Sequence, residues 1–347
     1  MSRACRICLR PIQKPHRRGE QSQARGTVPL LRGLRKNRDS PQAPRPAQNW
    51  DSPHYHPRCL RALFGTTKIP TLDIETSKLH TAALAMVGHT SLSGIQKKIS
   101  VNLSADRATL QVAAVGGRYV LKPQTGTYPA LPENEHVTTQ LARLVDIEVA
   151  PNGLVSLKDG TLAYIVRRFD RLSDGRKLRQ EDFCQLAELS PKDKYESSAE
   201  QCVKLVRKYA SEPPVEMLKL FRQFLFAWWC GNGDMHLKNF SLLTGEDGIT
   251  RLTPAYDLVC TRLVIPDDQL ALPLQGKKDN LNRGVWRRFA EYCGLPEKVA
   301  LRALDTQAAV LDEATRLIDL SFLADDQKQD FKQLLADRTN SISAEAS

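Results

Sequence analysis

Long apolar runs are missing from this sequence. No stretch of its 347 residues reaches the ~18 consecutive apolar positions that a membrane-spanning helix needs. The opening decapeptide, MSRACRICLR, has no apolar core of the kind a signal peptide carries. These two absences argue against a membrane partner and lead us to expect a cytoplasmic protein. Internal repeats are absent as well. Acidic residues are scarce at one end: residues 1–68 hold 3 Asp and Glu against 15 Lys and Arg, a charge of +12, whereas the remainder holds 36 against 35, a charge of −1. The net +11 of the chain therefore belongs to its first segment. Such an arm suits nucleic acid or an acidic partner surface, and equally a solvated insert. Glycine is scarce where a phosphate-covering loop would want it. TSLSGIQKKISVNL contains Gly94 alone, so it is not a glycine-rich nucleotide fingerprint, although Ser91, Ser93, Lys97 and Lys98 accompany it. What is present in quantity, 41% hydrophobic and 26% charged residues, is the composition of a globular chain long enough for two or three domains.

Eight cysteines are present. Five of them, at 184, 202, 230, 260 and 293, are scattered among apolar residues, as reduced core cysteines are. The other three are not scattered. CRIC sets Cys5 and Cys8 at metal-knuckle spacing, and HYHPRC sets His56 and Cys59 at a second such spacing. Together they offer three thiolates and one imidazole, a tetrahedral zinc set, with His54 as the competing imidazole and unligated thiols as the alternative. Between the knuckles, from about 13 to 52, the chain is rich in Arg, Pro, Ser and Gln and is expected to be mostly disordered.

From about residue 69 the texture changes. A turn or short strand leads into the helix-like TLDIETSKLHTAALAMVG, followed by alternating runs KISVNL, ATLQVAAV, RYVLKP, GLVSLK and LAYIVRRFD, as in an antiparallel sheet. ENEHVTTQLARLVDI, between the third and fourth of these, has the apolar spacing of one helix packed on that sheet. After about 171 the pattern is mainly helical: VEMLKLFRQFLFAWWC, LPEKVALRALDTQAAVLDEATRLI and DDQKQDFKQLLADRTNSI all carry helical periodicity. The expected organisation is α+β: a Cys/His segment (1–68), a small β-rich lobe (69–170) and a larger helical lobe (171–347).

The apolar FRQFLFAWWC is followed at once by GNGDMHLKNFSLL, which packs Asp234, His236, Lys238 and Asn239 into six positions. Asp-x4-Asn is the spacing of the protein-kinase catalytic loop, where the Asp accepts the substrate hydroxyl proton and the Asn holds magnesium. FSLL-TGEDG-ITRL reads as a hairpin, and a hairpin returns the chain, so PAYDLV would bring Asp257 back beside Asn239 to share a metal. Lys122, ending RYVLK, is the strand lysine for the phosphates, and Glu135 on the lobe's helix is placed to steady it. A capping polar loop, a solvated lysine and an exposed glutamate are the plainer alternatives.

SLSGIQKK, YVLKP, NEH, RRFDR, QEDFCQL, KYES, GNGDMHLKNFSL and LTPAYDLV stand in the order expected of HipA-like serine/threonine kinase toxins, and the chain resembles that family over roughly residues 83–340. The cysteine-bearing start and the SLS serines resemble its short HipT form, in which a small protein, HipS, and a DNA-binding protein, HipB, complete the system. The resemblance implies a two-lobed kinase-like fold that uses ATP and magnesium. Asp234 would be the catalytic base, and Asn239 and Asp257 the magnesium ligands. Lys122 would contact the phosphates, with His236, Lys238 and Tyr256 near the nucleotide. Ser93, Gly94, Ile95, Gln96, Lys97 and Lys98 would form the phosphate loop, and Ser91 and Ser93 would be autophosphorylated. Arg167, Arg168 and Phe169 would form the adenine hinge; Arg167 departs from the Glu of HipA-type relatives. The long insert between the knuckles is a second departure. The substrate implied is an aminoacyl-tRNA synthetase, the tryptophan enzyme foremost, with DNA reached only through the complex. Two rival readings are an inactive kinase-like component that binds nucleic acid through the basic arm, and a small-molecule phosphotransferase.

Overall fold

The computed structural model describes residues 5, 8, 55–79 and 98–343. The basic insert, His54, and the loop residues Ser91, Ser93, Gly94, Ile95, Gln96 and Lys97 lie outside the described residues. The chain is a mixed α/β, two-lobed structure. Helix α1 (Pro57–Phe64) precedes strands β1 (Ile99–Leu103), β2 (Leu110–Val112) and β3 (Tyr119–Pro123). Helix α2 (Leu131–Leu144) follows, then β4 (Asn152–Ser156) and β5 (Leu162–Arg167). All five strands pair antiparallel in the order β2-β1-β3-β5-β4. The five alternating runs thus form one sheet, and the helix expected between the third and fourth is α2.

Strand pleating sends neighbouring residues to opposite faces, and here that alternation divides labour. Tyr119 and Leu121 of β3, with Ala163 and Ile165 of β5, are buried in a hydrophobic cluster with Leu60, Leu63 and Phe64 of α1. Val120 and Lys122, with Tyr164 and Val166, line a cleft on the opposite face. One sheet therefore has an outer face sealed by α1 and an inner face that serves the site.

The larger lobe begins with β6 (Arg179–Asp182) and the short α3 (Phe183–Leu186), followed by α4 (Ala199–Tyr209) and α5 (Pro213–Trp229). Strands β7 (Ser241–Thr244) and β8 (Thr250–Leu252) form the expected hairpin, and β6 completes a three-stranded sheet in the order β6-β7-β8. β6 reads RQED and has no apolar alternation, so nothing local announces it; it exists because β7 offers an edge. Helices α6 (Arg283–Tyr292), α7 (Glu297–Ala309), α8 (Leu311–Asp319) and α9 (Asp325–Ser343) complete the described residues. The continuous helical run LPEKVALRALDTQAAVLDEATRLI is broken at Val310, where φ −88° and ψ 3° divide α7 from α8.

α5 sits at the centre. Phe224, Leu225, Phe226, Ala227, Trp228 and Trp229 are consecutive and all buried, so this end of the helix has no solvent face. Trp229 is fixed by its indole N–H, which donates to Thr339 Oγ1 of α9 at 2.9 Å. No described helix is long and apolar enough to cross a membrane.

Candidate active site

A cleft of about 530 Å³ lies between the inner face of the five-stranded sheet and the β7–β8 hairpin. Lys122 enters it from β3 and is only 3% exposed. Its ammonium meets Glu135 of α2 and, at 2.6 Å, Asp257 Oδ1. Lys98, at the foot of β1, donates to the other carboxylate oxygen of Asp257 at 2.5 Å. Asp257 is thus held by two lysines of the small lobe. Its backbone sits at φ +55°, the left-handed region that non-glycine residues rarely adopt, and aspartate is among the few that tolerate it.

The loop that follows α5 leaves the helix through two glycines whose surroundings crowd any larger side chain. Gly231 turns with φ +74°, and a Cβ there would meet Leu334 Cδ2 at 2.7 Å. A Cβ on Gly233 would lie 2.0 Å from Asp268 Oδ2 and 2.5 Å from the Gln269 carbonyl. Between them Asn232, fully buried, accepts from the Asp234 backbone N–H at 3.1 Å and donates to the Asp257 carbonyl at 3.4 Å. Asn232 is therefore the strut between the two acidic residues. Sequence reasoning passed over it, though an asparagine wedged between two glycines was the available signal.

Asp234 lies beside the cleft. Its Oδ1 accepts from the Tyr195 hydroxyl at 2.6 Å and stands 3.7 Å from His236 Nε2. Asn239 Nδ2 donates to the Asp234 carbonyl at 2.8 Å, which leaves the amide oxygen as the atom to face a cation. Lys238 pairs with Asp182 Oδ2 at 2.9 Å, at the cap of α3. The hairpin returns the chain as its sequence implied: Tyr256 O–H donates to the Lys238 carbonyl at 2.8 Å and stands 2.6 Å from Ser241 Oγ. Asn239 and Asp257 line the same cleft in consequence. Arg167, Arg168 and Phe169 line it too, at the end of β5. Arg168 forks onto Asp170 at 2.8 and 2.7 Å, and the Phe169 ring packs 5.9 Å from that of Tyr256. Tyr195 and Asp182 were not singled out from sequence, although KYES and QEDFCQL carry them.

Charge is distributed unevenly here. Burial would push the Asp257 carboxyl up, but Lys122 and Lys98 beside it hold it well below the usual carboxylate range. Burial pushes Glu135 up, and Lys122 offsets that only in part. Lys122 is disfavoured as a cation by burial, yet its two carboxylate neighbours hold it above the ordinary lysine value. Burial pushes the His236 imidazole down more than Asp234 raises it, so the neutral form is favoured. Among the described residues its buried Nδ1 has no hydrogen-bond partner, and neither has the buried Glu135 oxygen Oε2.

A second constellation lies on the outer face of the sheet. The ligand-type atoms of Cys5, Cys8, His56 and Cys59 all lie within 4.8 Å of one another. Cys8 Sγ is 3.2 Å from His56 Nδ1, and the His56 backbone N–H donates to Cys5 Sγ at 3.4 Å. Hydrogen bonding with Cys5 and Cys8, together with burial, holds the Cys59 thiol far above its ordinary range. All four residues singled out from the knuckle spacing are brought together.

Comparison with known proteins bears on the family and the fold. The model of the HipA-like C-terminal domain matches residues 90–315. Y4mE of Sinorhizobium fredii, provisionally named a kinase, is 32% identical over 217 residues, which are 59% of this chain and 51% of that protein. A Haemophilus influenzae protein with a similarly provisional kinase name is 29% identical over 223 residues, 59% of this chain and 64% of that protein. The chain thus spans between about half and two thirds of these curated relatives. Among solved structures, HipA of Shewanella oneidensis MR-1, determined with HipB and operator DNA, superposes with a TM-score of 0.62 at 22% identity, covering 73% of this chain and 65% of that one. The Helicobacter pylori proinflammatory kinase CtkA gives 0.51 at 17% identity, covering 73% and 92%.

Proposed function

We propose, from the premise that this chain belongs to the family defined by the HipA-like C-terminal domain, that it is an ATP- and magnesium-dependent serine/threonine protein kinase, the toxin of a toxin–antitoxin system. The observation that carries the reading is the meeting of Lys122, Asp257, Asn239 and their neighbour Asp234 around one cleft. The residues fit the ligand. A volume of about 530 Å³ lies in the range of small-molecule and cofactor sites. Two lysines stand ready for phosphate oxygens, an aspartate and an amide oxygen for a hard cation, and a buried imidazole nitrogen lacks a partner among the described residues.

Magnesium-ATP, when bound, supplies the phosphoryl group and neutralises the charge that develops on transfer. Asp234 would accept the proton of the acceptor hydroxyl from its position beside the cleft. Neutral His236, 3.7 Å away, can hydrogen-bond without competing as an ion. Lys122 would exchange its Asp257 contact for phosphate while Glu135 retains it. Phe169 and Tyr256 offer aromatic surface to a base, and Arg167, exposed at the strand end, leaves the hinge role to backbone groups.

The acceptor protein would be an aminoacyl-tRNA synthetase, the tryptophan enzyme foremost, whose modification in the cytoplasm halts translation. Ser91 and Ser93 would be autophosphorylated and modulate nucleotide binding. HipS-like and HipB-like proteins would be partners, and the HipB and operator DNA bound to the Shewanella HipA support contact with DNA through such a complex. The inactive, nucleic-acid-binding alternative retains the +12 arm in its favour. A transfer assay with radiolabelled ATP, with and without cell lysate, separates the readings. Labelled protein should appear, and Asp234→Asn should reduce it at least ~100-fold while the melting curve stays unchanged. Undiminished labelling by Asp234→Asn would end the assignment, and no labelling by the wild type would favour the inactive reading.

A further inference from the structure

We propose that Cys5, Cys8, His56 and Cys59 hold one structural zinc ion, and that this ion fastens the cover of the sheet whose opposite face forms the cleft. Neither part depends on the kinase reading.

The donor set comes first. Three sulfurs and one imidazole nitrogen match a closed tetrahedral zinc site, which leaves no position for substrate. With zinc–sulfur bonds near 2.3 Å and a zinc–nitrogen bond near 2.0 Å, donor atoms in such a tetrahedron stand about 3.4–3.8 Å apart. The four donors here already lie within 4.8 Å of one another, with the Cys8–His56 pair at 3.2 Å. Closure around an ion therefore needs shifts of no more than about an ångström. Calcium and magnesium favour oxygen and would not select three sulfurs. Cys5 is wholly buried, and the His56 N–H to Cys5 Sγ bond is a contact that orients a ligating sulfur from outside the donor set.

The placement supplies the role. His56 and Cys59 open α1, whose Leu60, Leu63 and Phe64 are buried in one cluster with Cys5 and with Ile99, Val101, Tyr119, Leu121, Ala163 and Ile165 of the sheet. Polar pins surround this seam. Tyr55 donates to the Leu154 carbonyl at 2.8 Å, Tyr119 to the Leu63 carbonyl at 3.1 Å, and Arg107 to the Gly65 carbonyl at 2.6 Å. α1 has only eight residues, too few to be stable without tertiary support. A cross-link that ties its first turn to Cys5 and Cys8 holds it against the outer face. β3 carries Tyr119 and Leu121 into that face and Lys122 into the cleft. Loosening the cover therefore loosens the strand that positions Lys122.

The test uses full-length protein purified without chelator, analysed by inductively coupled plasma mass spectrometry. About one zinc per chain is expected, and below half of that in Cys8→Ser, chosen because Cys8 is only half-buried. Metal-stripped wild type titrated with cobalt(II) should show thiolate-to-cobalt absorption and tetrahedral ligand-field bands that weaken in Cys8→Ser. Hydrogen exchange, compared before and after stripping, should rise in residues 57–64 and 99–123 and stay unchanged in 213–229. Absence of both zinc and cobalt uptake, a disulfide among these cysteines in their place, or full zinc content in Cys8→Ser would overturn the site. Unchanged exchange after stripping would overturn the fastening role. A failure of the kinase assignment would leave all three readouts standing, so the two proposals fail separately.

Discussion

Tyr195 is 41% exposed, an unusual place for a large ring, and its hydroxyl is spent on Asp234. A phenol donating to the candidate base at 2.6 Å occupies the place an acceptor hydroxyl would take. Tyr195→Phe should therefore lower the acceptor KM roughly two- to fivefold, the scale of one partly exposed hydrogen bond, and leave ATP affinity unchanged. Steady-state kinetics with a purified acceptor protein would measure this; a collapse of kcat would mean that the phenol positions Asp234 instead. The neighbouring His236 makes a statement about pH. Its folded-state pKa is lowered, so its neutral form is favoured, and its contribution is present above the unfolded value near 6.5 and lost as pH falls below it. Phosphoryl transfer should owe no loss to His236 from pH 8 to about 6.5, and any His236-dependent acid limb should lie lower. A kcat profile falling above about pH 6.5 and restored by His236→Gln would contradict this.

The hairpin that delivers Tyr256 and Asp257 is anchored by one buried carboxylate. Glu216, in the first turn of α5, is 2% exposed; it accepts from the Leu252 N–H at 2.8 Å and from Lys219 Nζ at 2.9 Å. An acid at a helix N-terminus also complements the helix dipole. Glu216→Ala strands the Leu252 donor and should cost about 1–3 kcal/mol, lowering Tm by several degrees, whereas Glu216→Gln, which keeps an acceptor, should cost less. Calorimetry of the two variants distinguishes them, and equal losses would show that the hydrogen bond to β8 is not the cause. β6 belongs to the same story. Four residues without apolar alternation become a strand because β7 presents them with backbone partners from Arg179 to Asp182.

Across the whole molecule, Lys122 and Lys98 on one side and Asp257 on the other form one ionic link between the two lobes. Lys122 satisfies two carboxylates, one of them the buried Glu135. Lys122→Met leaves Glu135 buried without its cation and should cost about 3–5 kcal/mol. Glu135→Gln alone should cost far less, because Asp257 still holds Lys122, and the Lys122→Met, Glu135→Gln double variant should recover much of the loss. A double-mutant cycle by denaturant unfolding measures the coupling. Additive effects would show that the charges act independently and that the cleft is not a linked ionic unit.

Some of this was legible from the linear chain, and the physical reason is locality. Period-two alternation announced β1 to β5, period-3.6 spacing announced α2 and α5, and the short TGEDG turn obliged the chain to return Asp257 to the cleft that Asn239 lines. Knuckle spacing selected Cys5, Cys8, His56 and Cys59 for the same reason, since each pair is separated by only two residues. Tertiary structure alone decided the rest. It made Asn232 the strut between Asp234 and Asp257, brought Tyr195 to Asp234 across 39 residues, paired Asp182 with Lys238 across 56, and turned RQED into a strand. Those contacts join positions far apart in the chain, and hydrogen bonds and ion pairs of that kind leave no periodicity to read. Pattern reports what a residue does to its near neighbours, while the site is built from what the fold does to distant ones.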